Sequence, residues 1–258
     1  MSHLDMHQFM CRSDNYGVLV HDHRTGATAS IDAPDAAVIE RELQKRGWQL
    51  TDIWTTHHHE DHVAGNLALK EQFGCQILGP AAEADSIPGI RKLLKGGETF
   101  QWAGREVKVY DCPGHTKGHI VYHIPTEFSL FAGDTLFAMG CGRVLEGTME
   151  QMWGSLDQFR KLKPHTFVYC GHEYTEANAK FAVSVEPGNR ALQARATVVA
   201  NQRLKGEMTC PTTIGEELKT NPFLRPDSAE IRKNLGLEQA SEAEVFAELR
   251  RRKDSFKS

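Results

Sequence analysis

The chain has 258 residues, 40% of them hydrophobic and 25% charged, with a net charge of −4. That length suits one large domain, or a domain with a smaller one attached, and is enough to bury a substantial core. The composition excludes collagen-like, disordered and membrane-embedded classes, and the negative balance argues against non-specific nucleic-acid binding, which needs a basic face.

The opening "MSHLDMHQFM" has no basic region ahead of an apolar core, so a secretory signal is not expected. Strands are predicted at residues 16–20 ("YGVLV") and 27–32 ("ATASID"), both β-branched and alternating. A helix follows over 35–47, opened by Asp35, with Val38, Ile39 and Leu43 on one face and Gly47 as its stop. Residues 51–56 read as a strand leading into "HHHEDH", and 63–74 as a helix. Further strands are expected at 75–79, 107–111, 120–124, 128–133 and 166–171. Thr148 and Gln151 have capping-box spacing and open a helix to about Leu162. Beyond residue 172 helical periodicity dominates, with further capping boxes at Thr213/Glu216 and Ser241/Glu244. The domain boundary is therefore placed at 172/173. The six cysteines (Cys11, Cys75, Cys112, Cys141, Cys170, Cys210) form no C-x-x-C pair and read as reduced core residues of a cytoplasmic protein. No apolar run is long enough to span a bilayer.

The run T-H-x-H-x-D-H, Thr56 to His62, is the densest chemical signal. His57 and His59 are two apart and share a side of an extended stretch, whereas His58 points the other way. Asp61 and His62 sit where a helix starts. Three later segments each place a metal-capable side chain after a predicted strand: His115 in "PGHTKGH", Asp134 in "FAGDTLF" and His172 in "YCGHEYT". Taken singly, such residues are ordinarily turn or capping groups. Seven together exceed one tetrahedral zinc and suit two ions sharing a carboxylate. His3, His7, His21, His23, His58, His119, His123 and His165 are read as ordinary histidines, with His119 also placed to orient a ligand.

T-H-x-H-x-D-H followed by G-H, G-D-T and G-H resembles the metallo-β-lactamase superfamily. "PGHTKGH", "FAGDTLFAMGCGRVLEGT", "CGHEYT", "NPFLR" and "RRRKDSF" resemble the hydroxyacylglutathione hydrolases, or glyoxalase II, over essentially the whole chain. The resemblance implies an α/β fold: an αββα metallo-β-lactamase sandwich over 1–172 with a C-terminal helical glutathione-binding domain over 173–258. It implies a first metal on His57, His59 and His115, a second on Asp61, His62 and His172, and Asp134 as the bridge. It also implies glutathione binding by Arg143, Tyr174, Arg250 and Lys253. Leu145 stands where some members carry an aromatic residue, which removes a tyrosine hydroxyl contact. On its own residues the R-x-x-K of the tail is a solvated helix face or a carboxylate grip, since Arg250 and Lys253 share one face.

The substrate so implied is a small glutathione thioester, typically S-D-lactoylglutathione, hydrolysed to glutathione and D-lactate in methylglyoxal detoxification. In that reading two divalent ions would lower the pKa of bound water to about 7, and the hydroxide they share would attack the thioester carbonyl. The leaving thiolate, with a thiol pKa of about 8.5, needs no dedicated acid. Zinc is the expected metal, and iron or manganese suit the same ligands. No nucleic-acid or membrane partner is expected, and the chain is read as a cytoplasmic monomer. The competing readings are a persulfide dioxygenase on one iron, another hydrolase of the same fold, and a non-catalytic metal-storage protein. The intact second ligand set counts against the dioxygenase, and the absence of cysteine from the motif counts against a closed structural site.

Overall fold

A computed structural model of the chain describes residues 4–256; His3 lies outside them. The chain divides into two compact units: residues up to Asp111 with Thr116–Gly133, and Cys112–His115 with everything from Asp134 onward.

The first unit is built on two sheets. Its first sheet holds β1 (Leu4–Cys11), β2 (Asn15–Asp22), β3 (Thr28–Ile31), β4 (Asp52–Trp54), β5 (Gln76–Pro80) and β6 (Lys92–Leu94), in chain order. β1 to β3 pair antiparallel, and β3 to β6 pair parallel. The parallel crossovers carry the helices α1 (Ala36–Arg46), α2 (Glu60–Val63) and α3 (Asn66–Phe73). Asp35 caps α1 by accepting from the Val38 N–H, and Gly47 closes it in the left-handed region at φ 68°. Ile39, Leu43, Val63 and Leu69 seal the outer face of this sheet against Leu19, Ile53 and Ile77.

The second sheet of this unit is an antiparallel meander of β7 (Thr99–Trp102), β8 (Arg105–Asp111), β9 (Ile120–Ile124) and β10 (Ser129–Gly133). Trp54 joins the two sheets. Its ring stands edge-on to Phe100 at 5.4 Å, Trp102 at 5.2 Å and Phe131 at 6.3 Å, and tilts against Tyr122 at 5.5 Å. A buried aromatic cluster of this size contributes several kcal/mol and fixes the spacing of the layers.

The helix expected over 63–74 begins earlier and breaks at Gly65. There the Gly65 N–H donates to the Ala33 carbonyl at 2.8 Å, and an added Cβ would lie 2.9 Å from the Ala36 nitrogen. Docking of the backbone on the β3–α1 turn overrides helical continuity. β1, β6 and β7 were not expected from the sequence. β1 mixes polar and apolar side chains without β-branched residues, and the other two are short.

The second unit holds a small hairpin, β11 (Leu136–Phe137) and β12 (Gly140–Cys141), then α4 (Met149–Asp157) and β13 (Phe167–Cys170). Helices α5 (Thr175–Val185) and α6 (Arg190–Leu204) follow. β14 (Thr212–Thr213) pairs with β13, and α7 (Ile214–Thr220), α8 (Ala229–Leu235) and α9 (Glu242–Ser255) complete it. The capping boxes at Thr148/Gln151 and Ser241/Glu244 are both fully formed, and the Thr213 hydroxyl accepts from the Glu216 N–H. Among the described residues, no helix is long and apolar enough to cross a membrane.

Candidate metal centre

The motif Thr56–His62 leaves the end of β4, and the first unit pins it at three points. The Thr55 N–H donates to Leu78 at 2.8 Å, the Tyr122 hydroxyl donates to the Thr55 carbonyl at 2.7 Å, and the Ile120 N–H donates to Thr56 at 2.9 Å. The unit gathers four of the sequence-predicted ligands in this loop. The rings of His57 and His59 lie 4.8 Å apart, and those of His57 and His62 4.1 Å apart. Asp61 Oδ2 lies 3.6 Å from His62 Nε2, and its carboxylate also accepts from Asn15 Nδ2 at 3.0 Å.

Asp32, buried at the end of β3, sets the tautomers. It accepts from His62 Nδ1 at 2.8 Å, from the Thr56 hydroxyl at 2.8 Å and from the Thr56 N–H at 2.6 Å. Because the Thr56 hydroxyl spends its hydrogen on Asp32, it can only accept from His57 Nδ1, 3.0 Å away. Both imidazoles therefore carry hydrogen on Nδ1 and present the lone pair of Nε2, the form a metal requires. His58 turns away, as its place in the motif predicts, and its Nδ1 and N–H both reach Glu83 Oε2 at 2.9 Å. His119 is fully buried and stacks on His57 at 4.8 Å. Gly133, at φ 47°, leaves room for that ring: a Cβ there would meet His119 Nε2 at 2.7 Å.

The second unit gathers the other three ligands. Asp134 Oδ2 lies 3.3 Å from His115 Nε2 and 3.4 Å from His172 Nε2. Two ligands of one tetrahedral ion, at bond lengths of 2.0–2.1 Å, sit about 3.4 Å apart. His115 Nδ1 donates to the Arg143 carbonyl at 2.9 Å, which again leaves Nε2 free of hydrogen. The segment before it is held by the Ser155 hydroxyl on the Pro113 carbonyl at 2.8 Å and the Gly147 N–H on Gly114 at 3.1 Å. The donor set and its spacing thus fit metal in both units. The fold and the histidine–aspartate clusters together indicate a binuclear metal site.

The residues expected to grip a tripeptide are also in the second unit. Arg143 is exposed. Tyr174, 39% exposed, stacks on His172 at 4.8 Å with rings parallel within 1°. Lys253 is half-buried over the Phe181 ring and donates to the Ala177 carbonyl at 3.0 Å; burial, then the charge of Arg250, lowers its pKa. Arg250 is only 3% exposed, and its guanidinium meets Cys141 and Asp254. Asp32 and Glu83 were missed from sequence. Asp32 was legible only as the last residue of a predicted strand.

Residues 25–172 match the model described as the Metallo-beta-lactamase superfamily, the class that this fold and these clusters define. Residues 173–256 match the model of the hydroxyacylglutathione hydrolase C-terminus. The chain is 55% identical over 256 residues to the Hydroxyacylglutathione hydrolase of Rhizobium meliloti (strain 1021), covering 99% of this chain and 100% of that one. It is 53% identical to the protein of the same name in Brucella anthropi, covering 98% of this chain and 97% of that one. Among solved structures, ETHE1 from Myxococcus xanthus shares the fold with a TM-score of 0.68 at 24% identity, covering 96% of this chain and 90% of that one. The chain belongs to the hydroxyacylglutathione hydrolase family of the metallo-β-lactamase superfamily.

Proposed function

We propose that the chain hydrolyses S-(2-hydroxyacyl)glutathione, typically S-D-lactoylglutathione, to glutathione and a 2-hydroxy acid, the second step of methylglyoxal detoxification. The observation that carries this is the full-length likeness, above half identity, to hydroxyacylglutathione hydrolases. His57, His59 and His115 would hold one ion, Asp61, His62 and His172 the other, and Asp134 would bridge them. When bound, the ions would supply a hydroxide nucleophile at neutral pH and positive charge for the developing oxyanion.

The chain's own residues supply the rest. Asp32, Thr56 and the Arg143 carbonyl keep three imidazoles in the ligating tautomer. Arg143, Tyr174, Arg250 and Lys253 hold the glutathione moiety away from the bond that breaks. Residues 1–172 form the catalytic part and 173–258 the glutathione-binding part of a cytoplasmic monomer. Zinc is the proposed metal, with iron or manganese compatible with the same imidazole and carboxylate set.

The test is thioester hydrolysis followed by ultraviolet absorbance on the metal-loaded chain, after chelation, and after zinc is restored. A chain holding two zinc ions that leaves lactoylglutathione intact would refute the reading. Lys253→Ala removes a charged hydrogen-bond donor worth about 1.5–3 kcal/mol. KM should rise about tenfold or more at about 1.4 kcal/mol per decade, with kcat unchanged, because the contact is equal in ground and transition states.

A further inference from the structure

The hairpin Leu136–Cys141 has Asp134 just before it and Arg143 just after it. Side chains from the tail bond to five of its backbone groups. Asn178 Nδ2 donates to the Ala138 carbonyl at 3.1 Å, and Glu217 Oε2 accepts from the Met139 N–H at 2.8 Å. Asn221, from the "NPFLR" segment, donates to the Phe137 carbonyl at 3.2 Å and the Gly140 carbonyl at 2.9 Å. Glu217 is itself fixed by Arg195 at 2.6 Å and Thr212 at 2.7 Å.

Arg250 completes the grip. Its Nη1 donates to the Cys141 carbonyl at 2.8 Å, while Nε and Nη2 pair with Asp254 at 3.0 and 2.8 Å. Its guanidinium carbon lies 5.2 Å from the Phe223 ring centroid. Two residues beyond Cys141, the Arg143 carbonyl accepts from His115 Nδ1. Gly142 lies between, so close to Asp134 that a Cβ would stand 1.9 Å from its carbonyl oxygen. The Gly142 N–H also donates to the Thr135 carbonyl at 3.2 Å, which ties this backbone to the segment that follows Asp134.

We propose that Arg250 is a positioning residue: by holding Cys141 it sets the Gly142–Arg143 backbone, and through the Arg143 carbonyl the orientation of the His115 imidazole. The helical tail thereby tunes metal affinity as well as substrate grip. This deepens the reading of His115 as a ligand and Arg143 as a substrate contact, and it rests on that reading.

The test compares Arg250→Ala, Arg250→Lys and Lys253→Ala in the full chain by zinc competition against a chromophoric chelator. KM and kcat are measured on lactoylglutathione and on a small thioester without glutathione. Orienting partners of metal-binding histidines are typically worth 10–100-fold in affinity or activity. Zinc affinity should fall about that much in Arg250→Ala, and kcat should fall on both substrates. Arg250→Lys keeps a donor of nearly the same reach, and its ammonium can still donate to the Cys141 carbonyl. It should recover part of the zinc affinity. Lys253→Ala should keep wild-type zinc affinity. Wild-type affinity in Arg250→Ala, with a loss confined to KM for lactoylglutathione, would overturn the proposal. So would Arg250→Lys and Arg250→Ala being equally weak. If Arg250→Ala does not fold, Arg250→Lys against wild type decides. Failure of the wild-type chain to cleave lactoylglutathione would sink the substrate assignment alone, since the zinc ranking is read without turnover.

Discussion

Asp32→Asn is the sharpest perturbation the metal-binding loop offers. Asp32 already occupies the left-handed region at φ 57°, which asparagine tolerates as well as aspartate, so the backbone cost is small. The two carboxylate oxygens have different duties. Oδ1 faces the Thr56 N–H at 2.6 Å, where only an acceptor is tolerated, so the amide oxygen must stay there. The amide NH2 then takes the place of Oδ2, 2.8 Å from His62 Nδ1 and from the Thr56 hydroxyl. The hydroxyl can turn and accept. His62 can accept at Nδ1 only by moving its hydrogen to Nε2, which spoils it as a ligand. Loss of such an orienting partner is typically worth 10–100-fold in metal affinity. At about 1.4 kcal/mol per decade this is about 1.4–2.8 kcal/mol. The assay is chelator competition with zinc on wild type and Asp32→Asn, with the melting temperature of the metal-free chain as a check on folding. Unchanged affinity in a folded Asp32→Asn would refute the tautomer argument.

Other substitutions divide the roles further. His58→Ala should leave metal content and turnover almost unchanged, because that ring engages Glu83; metal analysis with kcat checks it, and a loss equal to that of His59→Ala would break the ligand division. Asp134→Asn should lower the occupancy of both metals together, and one ion bound at wild-type affinity would mean Asp134 is not a bridge. Burial opposes ionisation of Glu186, but bonds from Arg225, Asn189 and Ser228 outweigh it and hold its pKa below the ordinary carboxylate value. A depressed pKa gives stability that is present above the unfolded value of about 4.5 and is lost as pH falls through the folded one. Urea unfolding at pH 7 and at pH 4 should therefore show a smaller acid-side loss for Glu186→Gln than for wild type, and equal losses would contradict the assignment.

The proposed ligands are legible in the sequence because they follow strands at fixed offsets. His57, His59, Asp61 and His62 are contiguous, and Asp134 and His172 end apolar runs whose β character is plain. Their supporting groups were not legible. Asp32 lies 30 residues from His62, and only the parallel pairing of β3 with β4 brings the two loops together. Arg250 and Lys253 read as one helix face, which holds, but periodicity does not reveal that Arg250 is buried. That depends on Cys141, 109 residues away, and on the Phe223 ring. The hairpin Leu136–Cys141 escaped notice because its strands are two residues each and rely on Asn221 and Glu217 for satisfaction. Short elements whose partners are distant side chains leave no periodic trace.

The grip of Asn178, Glu217, Asn221 and Arg250 on that hairpin bears on how such a chain could be cut or recombined. A protein ending at His172 would keep every proposed metal ligand. It would also leave the carbonyls of Phe137, Ala138, Gly140 and Cys141 and the Met139 N–H stripped of their partners. Without the tail these groups would face water, and the hairpin would lose the side chains that hold its shape, at about 0.5–1.5 kcal/mol for each bond given up. The compact unit that holds these contacts is Cys112–His115 together with the chain from Asp134 onward, so a single cut at the residue where the two family descriptions meet divides it. Shuffling at that meeting point would deliver an enzyme with its ligands present and the loop beside them unmoored.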